Sequence, residues 1–152
     1  MWLWRDTDDH HIYFGLGHRI DSVGFADAAD VAFEDAIAAM AATAVEQVRL
    51  LREQLPTVEA AAAILRGQAE QRKGWSMWDA AVALGLAGQR DQAAAMFKAV
   101  ADDEDDRDWW VPITRDAAGL AELVGADPAK FDVTVLDWID RYRDALKLPR
   151  RR

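Results

Sequence analysis

The sequence contains no cysteine, which excludes disulfide bonds, thiolate metal sites and cysteine nucleophiles. It also lacks an uninterrupted apolar run of about 18 residues, because carboxylates interrupt the alanine-rich stretch between Phe25 and Leu55. We therefore expect no membrane-spanning segment. The first six residues have neither the basic nor the apolar region of a secretory signal. These absences together predict a cytoplasmic protein.

Basic residues are scarce, since 18 Lys and Arg stand against 27 Asp and Glu and give a formal charge of −9. Nucleic acids and anionic membranes are bound through clustered Lys and Arg, so both are excluded as expected partners. More than half of the net charge lies in one acidic run, residues 102–108. The charge therefore predicts a basic partner.

The length of 152 residues, 51% of them hydrophobic, suits one domain with one core. We expect a single compact domain over residues 1–149 and a frayed basic tail at 150–152. The predicted fold class is α+β, predominantly α: a β-hairpin at residues 2–16 packed on a bundle of about six helices over residues 26–148.

The hairpin is predicted from apolar residues that alternate on both sides of an Asp-rich turn at residues 6–9, namely Trp2, Trp4, Ile12, Phe14 and Leu16. The outer edge of its first strand, Trp2-Leu3-Trp4, has none of the Lys, Pro or bulge residues that usually protect an edge. This edge predicts a homodimer joined through the N-terminal strand. The alternative is a monomer in which the chain's own helix covers the edge.

A long helix is predicted from 26 to 54, because Phe33, Ile37, Val48 and Leu51 belong to a stripe of apolar residues three or four apart. We expect this stripe, including Ile37 and Val48, in the core. Later helices are expected to begin at N-cap or start signals: Thr57, Ser76, Thr114 and Asp127-Pro128.

The segment Ala83–Phe97 resembles the middle of a tetratricopeptide repeat. Ala93 supplies the small residue where two helices cross, Gly88 the turn, and Phe97 the aromatic one turn further on. The match covers about half a repeat, and no second copy follows at the expected spacing. A scaffolding module and an ordinary helical hairpin both remain open interpretations.

An Asp- and His-rich turn brings together ligand types for a hard or borderline metal ion: Asp6, Asp8, Asp9 and His10. A metal-dependent hydrolase is therefore one alternative function. The opposing interpretation is a hairpin turn whose Asp side chains bond its own backbone. No phosphate loop, nucleophile elbow or zinc helix motif occurs. We therefore expect a non-enzymatic protein without a cofactor.

Two tryptophans follow the acidic run at once, and carboxylates beside large aromatic rings are typical of a surface that binds a basic protein. The predicted partner-binding residues are Asp103, Glu104, Asp105, Asp106, Trp109 and Trp110. In the alternative interpretation, Trp109 and Trp110 lie in the core and the carboxylates face water.

Three segments in this order resemble a group of uncharacterised bacterial domains: Tyr13-Phe14-Gly15-Leu16-Gly17, the helix end Leu50-Leu51-Arg52-Glu53-Gln54-Leu55-Pro56, and the helix pair from Ala81 to Phe97. Members of that group are found among small immunity-type proteins of bacterial competition systems. The resemblance implies a bacterial, non-enzymatic binding protein of helical or α+β fold, and carries no binding residues across.

Overall fold

The structure is a computed structural model that describes residues 31–70, 74–104, 107–108, 110–145 and 147. These residues form six helices: α1 (Val31–Gln54), α2 (Val58–Ala69), α3 (Trp75–Leu86), α4 (Arg90–Ala101), α5 (Val111–Ala126) and α6 (Pro128–Ala145).

Within those ranges there is no strand, so the described part of the chain is all-α and the predicted α+β class is wrong for it. The α+β class rested only on the alternating pattern near the N-terminus, whereas the described residues follow the helical period. The hairpin predicted at 2–16, with its dimer edge, and the tail at 150–152 lie outside the described residues. None of the helices in the described ranges is long and apolar enough to cross a membrane.

The chain divides into two compact units, Leu16–Pro56 and a second unit made of Met1–Gly15 with Thr57–Arg152. The first unit contains α1. From residue 33 to residue 54 no side chain of α1 is fully buried, and Ile37 and Val48 are 43% and 47% exposed. The prediction that these two residues lie in the core is therefore wrong. The apolar period identifies a helix correctly but does not say which residues another element covers.

The second unit contains α2 to α6, with α3 at its centre. α2 and α4 both pack on α3, α5 packs on α4, and α6 contacts both α5 and α3. The buried residues of α3 cover all sides of the helix: Ser76, Trp78, Asp79, Ala80, Ala81, Val82, Ala83, Leu84 and Gly85. A helix that is apolar nearly all round is stable when other helices surround it, and α3 is surrounded in this way.

Aromatic rings join three helices of this unit. The indole of Trp78 stacks on Trp138 of α6 at 6.4 Å between centroids and meets Phe97 of α4 edge-on at 5.7 Å. Phe97 in turn meets Phe131 of α6 edge-on at 6.0 Å. Such pairs contribute about 0.5–1.5 kcal/mol each beyond their burial, so this cluster fixes how α3, α4 and α6 pack.

Two of the predicted helix starts are confirmed. The Thr57 hydroxyl accepts a hydrogen bond from the Ala60 N–H at 3.3 Å, and the Asp127 carboxylate accepts one from the Lys130 N–H at 3.0 Å. The other two are wrong. Ser76 is buried inside the first turn of α3, which begins after Gly74, and the Thr114 hydroxyl donates back to the Val111 carbonyl inside α5.

The predicted helix pair at 83–97 is present as α3 and α4. Gly88 in the connecting turn has a left-handed φ of 77°, which glycine adopts without steric cost. Ala93 and Phe97 are both fully buried, as the spacing required. The pair is therefore a close helical hairpin, an arrangement shared by tetratricopeptide repeats and by ordinary bundles.

Candidate functional site

The acidic run begins at the C-terminus of α4. Phe97 and Val100 are buried and fix this end of the helix in the core. Two backbone hydrogen bonds end the helix. The Asp102 N–H donates to the Lys98 carbonyl at 2.9 Å, and the Asp103 N–H donates to the Val100 carbonyl at 3.3 Å. The carboxylates therefore start from a defined position.

Trp110 lies two residues after the run and directly before α5, and it is only 2% exposed. Its ring meets Trp75 edge-on, with 5.4 Å between centroids. The Trp110 N–H donates to the Arg107 carbonyl at 2.7 Å, and Pro112 in the first turn suits the start of a helix. The structure thus buries Trp110, which agrees with the alternative interpretation in which its ring lies in the core. Trp110 holds the chain just after the acidic run against α3.

Between these two ends lie carboxylates that face solvent, because Asp102, Glu104 and Asp108 are exposed and Asp103 is half-buried. We call these four residues the acidic surface. Of the other predicted partner-binding residues, Asp105, Asp106 and Trp109 lie outside the described residues. Asp105 and Asp106 belong to the same run in the sequence.

The acidic surface is placed where negative charge is costly for the fold. The C-terminus of a helix carries about half a negative charge, so carboxylates there are repelled by about 0.3–1 kcal/mol. Asp102 and Asp103 stand at this end of α4, where Lys98 is the basic residue of the last turn. The helix end and the carboxylates therefore combine into one negative potential directed at solvent.

A second charged cluster, for which the sequence holds no local signal, joins α3, α4 and α6. The Arg90 guanidinium donates to both oxygens of Asp132, at 2.9 and 3.1 Å, and also to the Gly85 carbonyl. It lies 5.6 Å from the centre of the Phe131 ring. Because these groups already bind one another, we assign the cluster to packing rather than to ligand binding.

The described residues contain no group of three metal-binding side chains. The metal candidates Asp6, Asp8, Asp9 and His10 lie outside the described part of the chain, so the metal-site hypothesis stays a prediction. Ser76 and Asp79 of α3 are polar side chains that the core buries. The only sequence signal for the burial of these two side chains is that apolar residues flank them.

Comparison with protein-family models, curated proteins and solved structures gave no significant match.

Proposed function

We propose that the chain is a non-enzymatic protein-binding domain whose acidic surface binds a basic protein partner. One observation carries the proposal: exposed carboxylates after α4 lie along the chain between two buried rings, Phe97 and Trp110. A charged segment fixed at both ends loses less conformational freedom on binding than a free loop does. The net charge of −9 favours the same class of partner.

Carboxylates at a helix C-terminus support a binding role in a second way. Residues that weaken a fold are commonly retained where they serve a site, and Asp102 and Asp103 oppose the dipole of α4. Long-range attraction would steer a basic partner toward this end of the second unit and raise the association rate. An immunity role, with a basic toxin as the partner, is one form of this proposal. The proposal places the domain in the cytoplasm, in keeping with a chain that has no cysteine.

The test measures the association rate of a fluorescent lysine-rich peptide at several salt concentrations. The variant Asp102→Asn/Glu104→Gln/Asp108→Asn should slow association roughly tenfold at low salt and flatten the salt dependence. A control with the same net charge is Glu70→Gln/Asp91→Asn/Glu122→Gln, which removes three exposed carboxylates elsewhere in the second unit. Equal association rates for the two variants, or a parent association rate that does not change with salt concentration, would contradict the proposal.

A further inference from the structure

One side of α1 exposes an apolar row that ends in opposite charges. Ile37, Val45 and Val48 are 43%, 71% and 47% exposed, and Ala41 between them is exposed as well. At 3.6 residues per turn these four positions lie on one side of the helix, together with Glu34 near its start and Arg52 near its end. We call these six residues the α1 exposed face.

The two charges that end this face have no partner within the described residues. Arg49, one turn from Arg52, is engaged by Glu46 at 2.6 Å and by Glu53. Glu34 and Arg52 form no ion pair with any described residue and are both exposed. They stand five turns apart, about 27 Å along the helix axis.

We propose that the α1 exposed face binds the same face of a second copy of the chain, with the two helices antiparallel. In this register Ile37 of each copy lies opposite Val48 of the other, and Ala41 lies opposite Val45. Glu34 then lies opposite Arg52 at both ends of the helix pair. The face is therefore complementary to itself under a two-fold rotation, which is the requirement for an isologous dimer.

The charges also disfavour the parallel orientation. A parallel pair in register would set Glu34 beside Glu34 and Arg52 beside Arg52, and like charges across a helix pair are destabilising. The small side chain at Ala41 lets the two backbones approach near the axis, where Val45 of the second copy fills the space. This contact uses residues of α1 alone and none of the residues of the acidic surface.

The test is a charge reversal with a matched control, measured by sedimentation equilibrium of the full chain over a concentration series. Glu34→Arg should raise the dimer dissociation constant about tenfold, because it sets arginine against Arg52 at both ends. Asp35→Arg makes the same charge change one residue away, on a different side of α1, and should leave the constant within about twofold. The double variant Glu34→Arg/Arg52→Glu restores both pairs and should restore the dimer.

A cysteine-free chain allows the orientation to be tested directly. Ile37→Cys mixed with Val48→Cys should form a disulfide between the two variants, whereas parallel helices would cross-link each variant to itself. Circular dichroism checks that each variant keeps its helix content. A chain that is monomeric at every concentration, or equal effects of Glu34→Arg and Asp35→Arg, would overturn the proposal.

Discussion

Helices α1 and α3 are both rich in alanine and apolar residues, yet they differ in almost every other respect. α1 has 24 residues and none of its described side chains is fully buried, whereas α3 has 12 residues and nine of them are buried. The two helices differ in how many charged residues they carry. α1 carries charged residues along its length, while Asp79 is the single charged residue of α3. Apolar spacing thus predicts that a helix forms, and the absence of charge around it predicts that the helix is central.

The largest effect is expected at the centre of α3. Trp78→Ala removes a ring that contacts both Phe97 and Trp138, so it should lower the free energy of unfolding by about 4 kcal/mol. Urea unfolding followed by tryptophan fluorescence measures this, because the described tryptophans all belong to the second unit and α1 contains none. A loss below about 1 kcal/mol would mean that α3 is not the centre of the core.

A smaller effect is expected where α6 approaches α3. A Cβ at Gly85 would lie 2.5 Å from two ring atoms of Phe131, so Gly85→Ala should cost about 2 kcal/mol. The control is Gly119→Ala inside α5, where no atom lies within 4 Å of the added Cβ. That substitution should stabilise the unit by about 0.5–1 kcal/mol through helix propensity. Equal effects at the two glycines, measured by the same urea unfolding, would contradict the close approach of Phe131.

The helix starts give a third, weaker contrast. Thr57→Ala removes the hydrogen bond to the Ala60 N–H and should cost about 1 kcal/mol. Thr114→Ala removes no cap, because the Thr114 hydroxyl bonds a carbonyl within its own helix. Its effect on thermal unfolding should stay within about 0.5 kcal/mol. The reverse order of the two effects would mean that the cap positions are misassigned.

The smallest effect is expected on α1, where the apolar pattern suggested a large one. Ile37→Asp places a charge at a position that is 43% exposed, so the fluorescence-detected unfolding of the second unit should change by less than about 0.5 kcal/mol. Trp78→Ala serves as the positive reference in the same assay. A loss of several kcal/mol for Ile37→Asp at a concentration where the parent chain is monomeric would show that α1 belongs to the core.

Local signals were predictable from the sequence, and contacts distant along the chain were not. Thr57 and Asp127 act as caps because their partners lie three residues away, within the reach of a sequence pattern. Ser76 has the same chemistry but is buried in α3, and α5 begins before Thr114 because Trp110 and Pro112 set its first turn. Tertiary packing overrode the local preference at both positions.

At the candidate site too, local features were predictable from the sequence and contacts between distant residues were not. The charge of the acidic surface was visible in the composition, because a run of carboxylates needs no partner to be recognised. The burial of Trp110 was one of two open interpretations, and the contact with Trp75 at the start of α3 that accounts for it could not be read from the sequence. The pair Arg90–Asp132 spans 42 residues and left no sequence signal. Burial is a property of distant contacts, so a sequence can suggest an anchor that the fold then places in the core.

The most direct test of the proposed function is to map a lysine-rich peptide onto the chain by NMR. Amide shifts of Asp102, Asp103, Glu104, Arg107 and Asp108 should change with increasing peptide and return toward their free values as salt is added. A glutamate-rich peptide of equal length should leave them unchanged. Shifts that centre on α6 or α1, or an equal response to the two peptides, would contradict binding by the acidic surface.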